Sequence, residues 1–196
     1  MAANALNDLS SPLALLKSRR SVKAHTLVAP GPSKGELAEI LSIASRVPDH
    51  GKLAPWRFVV IEDRDSLVAL LQQLWRRHRP DSDEAELAAL AEFARQAPVL
   101  VALLFHPVDG KIPVFEQKLS TGAAGLNLLL AAHALGYAGC WLTGERARLP
   151  DLAEALGVAG GRVAGFFFLG TADGPAVERQ RPAASEVVRH WPGNAA

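Results

Sequence analysis

The residues with the clearest chemical potential lie near the N-terminus, in the segment S-R-R-S-V-K-A-H over 18–25. It places Arg19, Arg20 and Lys23 around Ser21, in a chain whose net charge is only +1. Cations in the last turn of a helix complement its dipole, which is the ordinary explanation. Two guanidinium groups and a hydroxyl can also bind one phosphate through charge-assisted hydrogen bonds. The segment alone leaves both interpretations open.

A second group of functional side chains lies in the loop R-V-P-D-H-G-K-L-A-P-W, residues 46–56. This loop carries Arg46, His50 and Lys52 between two prolines and ends at Trp56. Cations beside an aromatic residue suit a flat ligand that bears negative charge. We interpret Trp56 itself as a packing anchor rather than as a residue that stacks on a substrate.

Other kinds of chemistry have weaker support in the sequence. The six histidines are scattered without i, i+4 pairs and Cys140 is the only cysteine, so no metal site is predicted. A lone cysteine in an apolar segment is more often a small hydrophobe than a nucleophile. The glycine-rich stretches at 120–125 and 157–162 lack the Walker lysine and the strand–loop–helix order of nucleotide-binding loops. We interpret His133 as a packed core histidine rather than as a ligand.

Composition limits the classes of protein that fit. A length of 196 residues with 49% hydrophobic residues predicts one folded domain, residues 1–196. The nearly balanced charge argues against a general nucleic-acid binder. Residues 1–16 lack the pattern of a signal peptide and there is no disulfide framework, so we expect a cytoplasmic protein. Residues 123–142 approach the length of a membrane span, but the polar Asn127 and His133 favour a buried helix followed by a strand.

Periodicity and turn residues divide the chain into helices and strands. Helices are predicted at 6–19, 33–47, 64–79, 83–96, 114–135 and 150–156. Strands are predicted at 57–62, 98–105, 138–143 and 162–170. Ser33 and Glu36 form a capping box, and Gly136 suits a helix end. The tail from 171 has little periodicity and is expected to pack over another surface. The order of these helices and strands predicts an α+β domain, in which a small sheet has helices on both faces.

In order and spacing these segments resemble the FMN-dependent nitroreductase family. The resemblance rests on S-R-R-S-V-K at 18–23, P-D-H-G-K-L-A-P-W-R-F-V-V-I at 48–61 and G-A-A-G-L-N-L-L-L-A-A-H-A-L-G-Y-A-G-C-W at 122–141. The short chain, the P-D-H loop and F-E-Q at 115–117 resemble the minimal, YdjA-type branch of NAD(P)H nitroreductases. The resemblance implies a nitroreductase-like fold with a small, mainly antiparallel sheet flanked by helices. It also implies a homodimer with FMN sites at the interface and the tail on the partner.

The resemblance further implies that the basic segment binds FMN. Arg19, Arg20 and Ser21 would bind the phosphate and ribityl chain, and Lys23 would face the pyrimidine edge of the flavin. No catalytic side chain is implied, because the cofactor carries the hard chemistry. Lys23 is a candidate electrostatic stabiliser of the negative charge that hydride transfer leaves near flavin N1 and O2.

Three other segments complete the implied cofactor site. The P-D-H loop contributes Arg46 and His50. The segment after the long helix contributes Trp141, Leu142 and Thr143. The tail contributes Arg181, with Arg179 as the alternative. The sequence departs from the wider family at Lys52 and Ala54, where asparagine and glutamine are common. These two substitutions would change the hydrogen bonds that the loop can make around the flavin.

The implied activity is a ping-pong reaction. NADH or NADPH would give a hydride to the flavin, and a nitroaromatic, a quinone or a similar small acceptor would then take it. Two alternatives stay open. One is other flavin chemistry on the same fold, such as dehalogenation or dehydrogenation. The other is a non-catalytic flavin-binding protein, which the departures at Lys52 and Ala54 would favour. No nucleic acid or membrane partner is expected.

Overall fold

The computed structural model describes residues 6–193; residues 1–5 and 194–196 of the predicted domain lie outside the described residues. The helices are α1 Pro12–Ser18, α2 Lys34–Ala44, α3 Arg64–His78, α4 Glu84–Arg95, α5 Val114–Ala134, α6 Leu152–Ala155 and α7 Ala184–Val187. The strands are β1 Leu27–Val28, β2 Trp56–Val60, β3 Val99–Phe105, β4 Ala138–Leu142 and β5 Arg162–Ala172. Short 3-10 turns lie at Ala24–Thr26, His50–Lys52 and Glu145–Arg148.

The five strands form one antiparallel sheet around β5. This strand pairs with β3 along most of its length, with β4 between 166 and 170, and with β1 at its end. Strand β2 pairs with β3 and completes the other edge. The predicted small, mainly antiparallel sheet flanked by helices is therefore confirmed.

Two apolar cores lie on the two faces of this sheet. Successive side chains of a strand point to opposite faces, so the continuous apolar run of β3 serves both. Leu100, Ala102 and Leu104 join the core formed with α3, α4 and α6. Val101 and Leu103 join the core formed with α2 and α5. The burial of both faces explains why this strand lacks polar alternation.

The long helix α5 is buried on one side only. Leu128 and Ala132 are fully buried against the sheet. The opposite side exposes 70% of Phe115, 58% of Leu119 and 49% of Leu126. A helix that is apolar all round would be expected to be buried all round, so the structure leaves an apolar helix face uncovered. No helix within residues 6–193 is both long and apolar enough to cross a membrane.

The elements differ from the sequence predictions in several places, and helix α7 was not predicted at all. Helix α1 begins at Pro12 rather than at residue 6, because the Ser11 hydroxyl caps it by accepting from the Ala14 N–H and proline favours the first helical position. Helix α2 ends at Ala44, three residues early. Strand β1 was not predicted, because two residues show no periodicity and the strand depends on its pairing with β5.

Gly125 lies where α5 packs tightly against side chains of the sheet. A Cβ at this position would lie 2.9 Å from Phe167 Cζ and 3.0 Å from Trp141 Cζ3. We expect Gly125→Ala to lower the free energy of unfolding by about 1–3 kcal/mol, as overpacked cores do. Urea denaturation of the purified variant measures this loss.

The matched control is Gly35→Ala in the first turn of α2, where an added Cβ meets nothing within 4 Å. Since alanine is the better helix former, this variant should be unchanged or more stable by up to about 1 kcal/mol. An unchanged Gly125→Ala, or an equal loss in both variants, would contradict the packing described for α5.

Candidate functional site

A cavity of about 840 Å³ lies between three parts of the fold. Its walls are residues 19–23 of the basic segment, residues 140–142 of β4, and the tail from 173 to 181. Known ligand sites have volumes of about 300–1,000 Å³. The sheet therefore positions the basic segment opposite the tail around a space that can hold a nucleotide-sized ligand.

Four arginines meet in this cavity. Arg19, Arg20, Arg179 and Arg181 all line it. The Arg19 Nη1 donates to the Ser21 hydroxyl at 3.3 Å. Burial, then the neighbouring charges of Arg181 and Arg20, lower the pKa of Arg19. Guanidinium groups stay protonated in proteins, so the arrangement concentrates positive charge that an anion would relieve. Lys23 lines the same cavity and is exposed.

The acid that faces these arginines is Glu178. Its Oε1 lies 3.6 Å from Arg20 Nε and 3.8 Å from Arg181 Nη2, and it accepts from the Arg179 N–H. The Glu178 side chain is 60% exposed, so each of these pairs is worth little. Because Asp173 also lines the cavity, two carboxylates lie against four guanidinium groups and Lys23, and the cavity remains positive.

Arg20 is held at three points from distant parts of the chain. Its backbone N–H donates to Asn7 Oδ1 at 2.7 Å, and its side-chain Nε donates to the Val177 carbonyl at 2.7 Å. Its carbonyl faces His133 Nε2 of α5 at 3.2 Å. These contacts fix an irregular segment that has no helix or strand of its own. Asn7 and His133 were not predicted at the site, because no local pattern links them to Arg20.

Strand β4 presents its backbone to the cavity. Among the described residues it pairs with β5 alone, so the N–H and C=O groups of its outer edge are available to a ligand. The Trp141 ring is stacked on Phe167 at 5.0 Å and donates to the Ala164 carbonyl. Trp141 and Leu142 line the cavity, whereas Thr143 is exposed just beyond its lining.

The thiol of Cys140 is unsuited to nucleophilic chemistry. Cys140 is buried in β4, and burial raises its pKa to about 12. The thiol is therefore protonated at neutral pH, as expected of a small core residue. Within residues 6–193 no group of three or more potential side-chain ligands could hold a metal ion.

Arg46 and His50 lie outside the lining of this cavity. They follow α2, and the Arg46 carbonyl is 3.4 Å from Asn127 Nδ2 of α5. His50 Nδ1 lies 2.7 Å from Glu116 Oε2 near the start of α5. One chain does not bring Arg46 and His50 to the cavity. The candidate residues that it does bring together there are Arg19, Arg20, Ser21, Lys23, Trp141, Leu142 and Arg181, with the alternative Arg179.

The loop that carries His50 has a strained backbone. Lys52 and Ala54 have φ values of 57° and 46°, in the left-handed region that side chains rarely adopt. The Asp49 carboxylate accepts from the Ala54 N–H at 2.7 Å and braces the turn. Trp56 is 9% exposed and its indole N–H reaches Ser45, so its interpretation as a packing anchor is confirmed.

Sequence comparison places the chain among known proteins. The model of the nitroreductase family matches residues 16–171. A Haemophilus influenzae protein named "Putative NAD(P)H nitroreductase" is 36% identical over 149 residues, 74% of this chain and 79% of that protein. The Escherichia coli K12 protein named "Putative NAD(P)H nitroreductase YdjA" is 34% identical over 163 residues, 81% of this chain and 87% of that protein.

Solved structures share the fold over nearly the whole chain. The nitroreductase-like family protein from Bacillus cereus has a TM-score of 0.79 at 24% identity and covers 94% of this chain and 97% of that one. A Desulfovibrio desulfuricans protein, described as a "putative nitroreductase in complex with fmn", has a TM-score of 0.70 at 22% identity and covers 91% and 96%. Since the family match spans most of the chain and two relatives exceed 30% identity, the chain belongs to the nitroreductase family.

Proposed function

We propose that the chain is an FMN-dependent oxidoreductase that takes a hydride from NADH or NADPH and passes it to a small acceptor, such as a nitroaromatic or a quinone. The observation that carries the proposal is the convergence of Arg19, Arg20 and Arg181 in one cavity. The similar Desulfovibrio desulfuricans structure contains FMN, and the similar Escherichia coli protein is named for NAD(P)H. The chain is an enzyme in this proposal, and its location is cytoplasmic.

The residues present suit a flavin mononucleotide. The arginines of the cavity and Ser21 can bind a phosphate monoester, since guanidinium groups match phosphate oxygens in geometry and charge. The free backbone edge of β4 offers donors and acceptors to a flat heterocycle. When bound, FMN would supply hydride acceptance at N5 and hydride donation to the acceptor. The protein would then bind the flavin, orient it and provide the charged groups around its ring.

We also propose a homodimer in which the partner supplies the missing part of the site. Arg46 and His50 are absent from the cavity of their own chain, so a partner must present them if they bind the flavin. The uncovered apolar side of α5, with Leu119 and Leu126, is a suitable interface. Beyond residue 181 the tail exposes 83% of Trp191, an apolar surface that the partner would cover.

The proposal is tested by the visible absorption spectrum of the purified protein, recorded anaerobically before and after NADPH or NADH. We expect a flavin spectrum that bleaches with at least one donor and returns when an acceptor is added. A flavin that stays oxidised with both donors would favour the non-catalytic flavin-binding protein. If the protein does not take up added FMN, the proposal that it binds a flavin is wrong.

Lys23 is proposed to stabilise negative charge on the pyrimidine edge of the bound flavin. Within residues 6–193 it makes no ion pair, so its charge is available to a ligand. We expect Lys23→Ala to slow flavin reduction by about tenfold or more, because a preplaced charge is lost where charge develops. Stopped-flow reduction by the preferred donor and the flavin potential measure the effect.

The control for this variant is Lys34→Ala, which removes an exposed cation at the start of α2, remote from the cavity lining. It should leave both the reduction rate and the potential unchanged. If Lys23→Ala also leaves both unchanged while FMN stays bound, the electrostatic role of Lys23 is wrong.

The α5 interface is tested by Leu126→Glu. Because a charge would be buried between the two copies, we expect the dimer to dissociate to monomers in sedimentation-velocity experiments at micromolar concentration. The control is Ala88→Glu on the exposed side of α4, which packs on the other face of the sheet. A Leu126→Glu protein that sediments like the wild type would place the interface elsewhere.

A further inference from the structure

His133 occupies an unusual position for a buried histidine. It lies in the last turn of α5 and is 1% exposed. Its Nδ1 is 2.7 Å from the Leu129 carbonyl oxygen, and its Nε2 is 3.2 Å from the Arg20 carbonyl oxygen. Both neighbours are acceptors. A neutral imidazole has one N–H and can donate to only one of them, whereas an imidazolium donates to both.

The surroundings decide which form is present when the cavity holds no anion. Burial and the charge of Arg19 disfavour the imidazolium, although the two carbonyls favour it, and the pKa of His133 is lowered. The other cations on that side are Arg20, Lys23, Arg179 and Arg181, and the acids are Asp173 and Glu178. The neutral ring keeps its proton on Nδ1, where the contact is shorter. Its Nε2 lone pair then opposes the Arg20 carbonyl.

A phosphate in the cavity changes this balance. Burial is the main cause of the lowered pKa of His133, and the charge of Arg19 adds to it. The phosphate would place negative charge beside Arg19 and so favour the charged form of His133. The protonated ring would then donate from Nε2 to the Arg20 carbonyl. The backbone between Arg19 and Ser21 would be fixed in the arrangement that binds the anion.

We propose that His133 is a positioning residue of the phosphate site, and that filling this site with the phosphate monoester of FMN is coupled to uptake of one proton by His133. The proton goes from solvent to Nε2, and no other bond is made or broken. This inference rests on the proposed function. His133 contacts the backbone of Arg20 from the interior of the protein and is not proposed to touch the flavin.

The proton uptake by His133 is opposite in sign to the proton release expected of the phosphate itself. Free phosphate monoesters have a second pKa of about 6, and binding to arginines favours their deprotonated form. The ligand itself would therefore release protons near neutral pH, whereas His133 would take one up. Riboflavin lacks the phosphate and should bind without proton uptake through His133.

The first measurement is isothermal titration calorimetry of the flavin-free protein with FMN and with riboflavin at pH 7.5, in buffers of different ionisation enthalpy. We expect net uptake approaching one proton with FMN and none with riboflavin. The FMN affinity should rise by up to about tenfold per pH unit as the pH falls from 8.5 to 7. In His133→Gln, which can still donate to one carbonyl, this pH dependence should disappear.

The second measurement does not depend on a variant that folds. Nitrogen-15 NMR of the histidine rings in the wild-type protein should show a neutral tautomer at one buried histidine without FMN and an imidazolium with FMN bound. FMN binding with no change in that ring, or equal pH dependence in wild type and His133→Gln, would overturn the inference and leave the proposed function intact. A protein that binds neither flavin would overturn both.

Discussion

The rest of this structure depends on the positive charge that Arg19, Arg20, Arg179 and Arg181 concentrate at one cavity. Burial of Arg19, and then the charges of Arg181 and Arg20, lower the pKa of Arg19, and the nearby carboxylate of Glu178 is too exposed to neutralise the group. Holding these guanidinium groups together costs free energy when no anion is bound. A bound anion removes this electrostatic cost, and the free energy regained strengthens its binding. The arginines therefore select for a phosphate group and do not by themselves select for a particular heterocycle.

The rest of the fold keeps these charges in place. The sheet holds β4 and the tail on one side, α5 contributes His133 behind the segment, and the turn at Asn7 holds the Arg20 amide. Because each contact joins parts of the chain that are far apart in sequence, the site forms only when the whole domain is folded. Such contacts preorganise the site, so that little ordering remains when the ligand binds.

The sequence predicted the elements that local patterns encode. The capping box before α2, the apolar run of β3 and the long helix α5 all have a periodic or capping signal, and each lies within a few residues of its predicted place. The basic segment was singled out by its cluster of cations, and only the family resemblance implied that it binds FMN. The contacts of Arg20 with Asn7 and His133 were not predictable, because they depend on how α1 and α5 pack. The separation of His50 from the cavity likewise follows from the path of the strained loop after α2.

The most direct test of the account compares the affinities of the flavin-free protein for FMN and for riboflavin, at low and at high potassium chloride. The two ligands differ only in the phosphate. We expect FMN to bind about 100-fold more tightly or better at low salt, since two or more charge-assisted hydrogen bonds contribute about 1.5–3 kcal/mol each. The advantage should shrink as salt screens the arginines. Equal affinities at low salt would contradict the account, because the arginines would then bind something other than the phosphate of FMN.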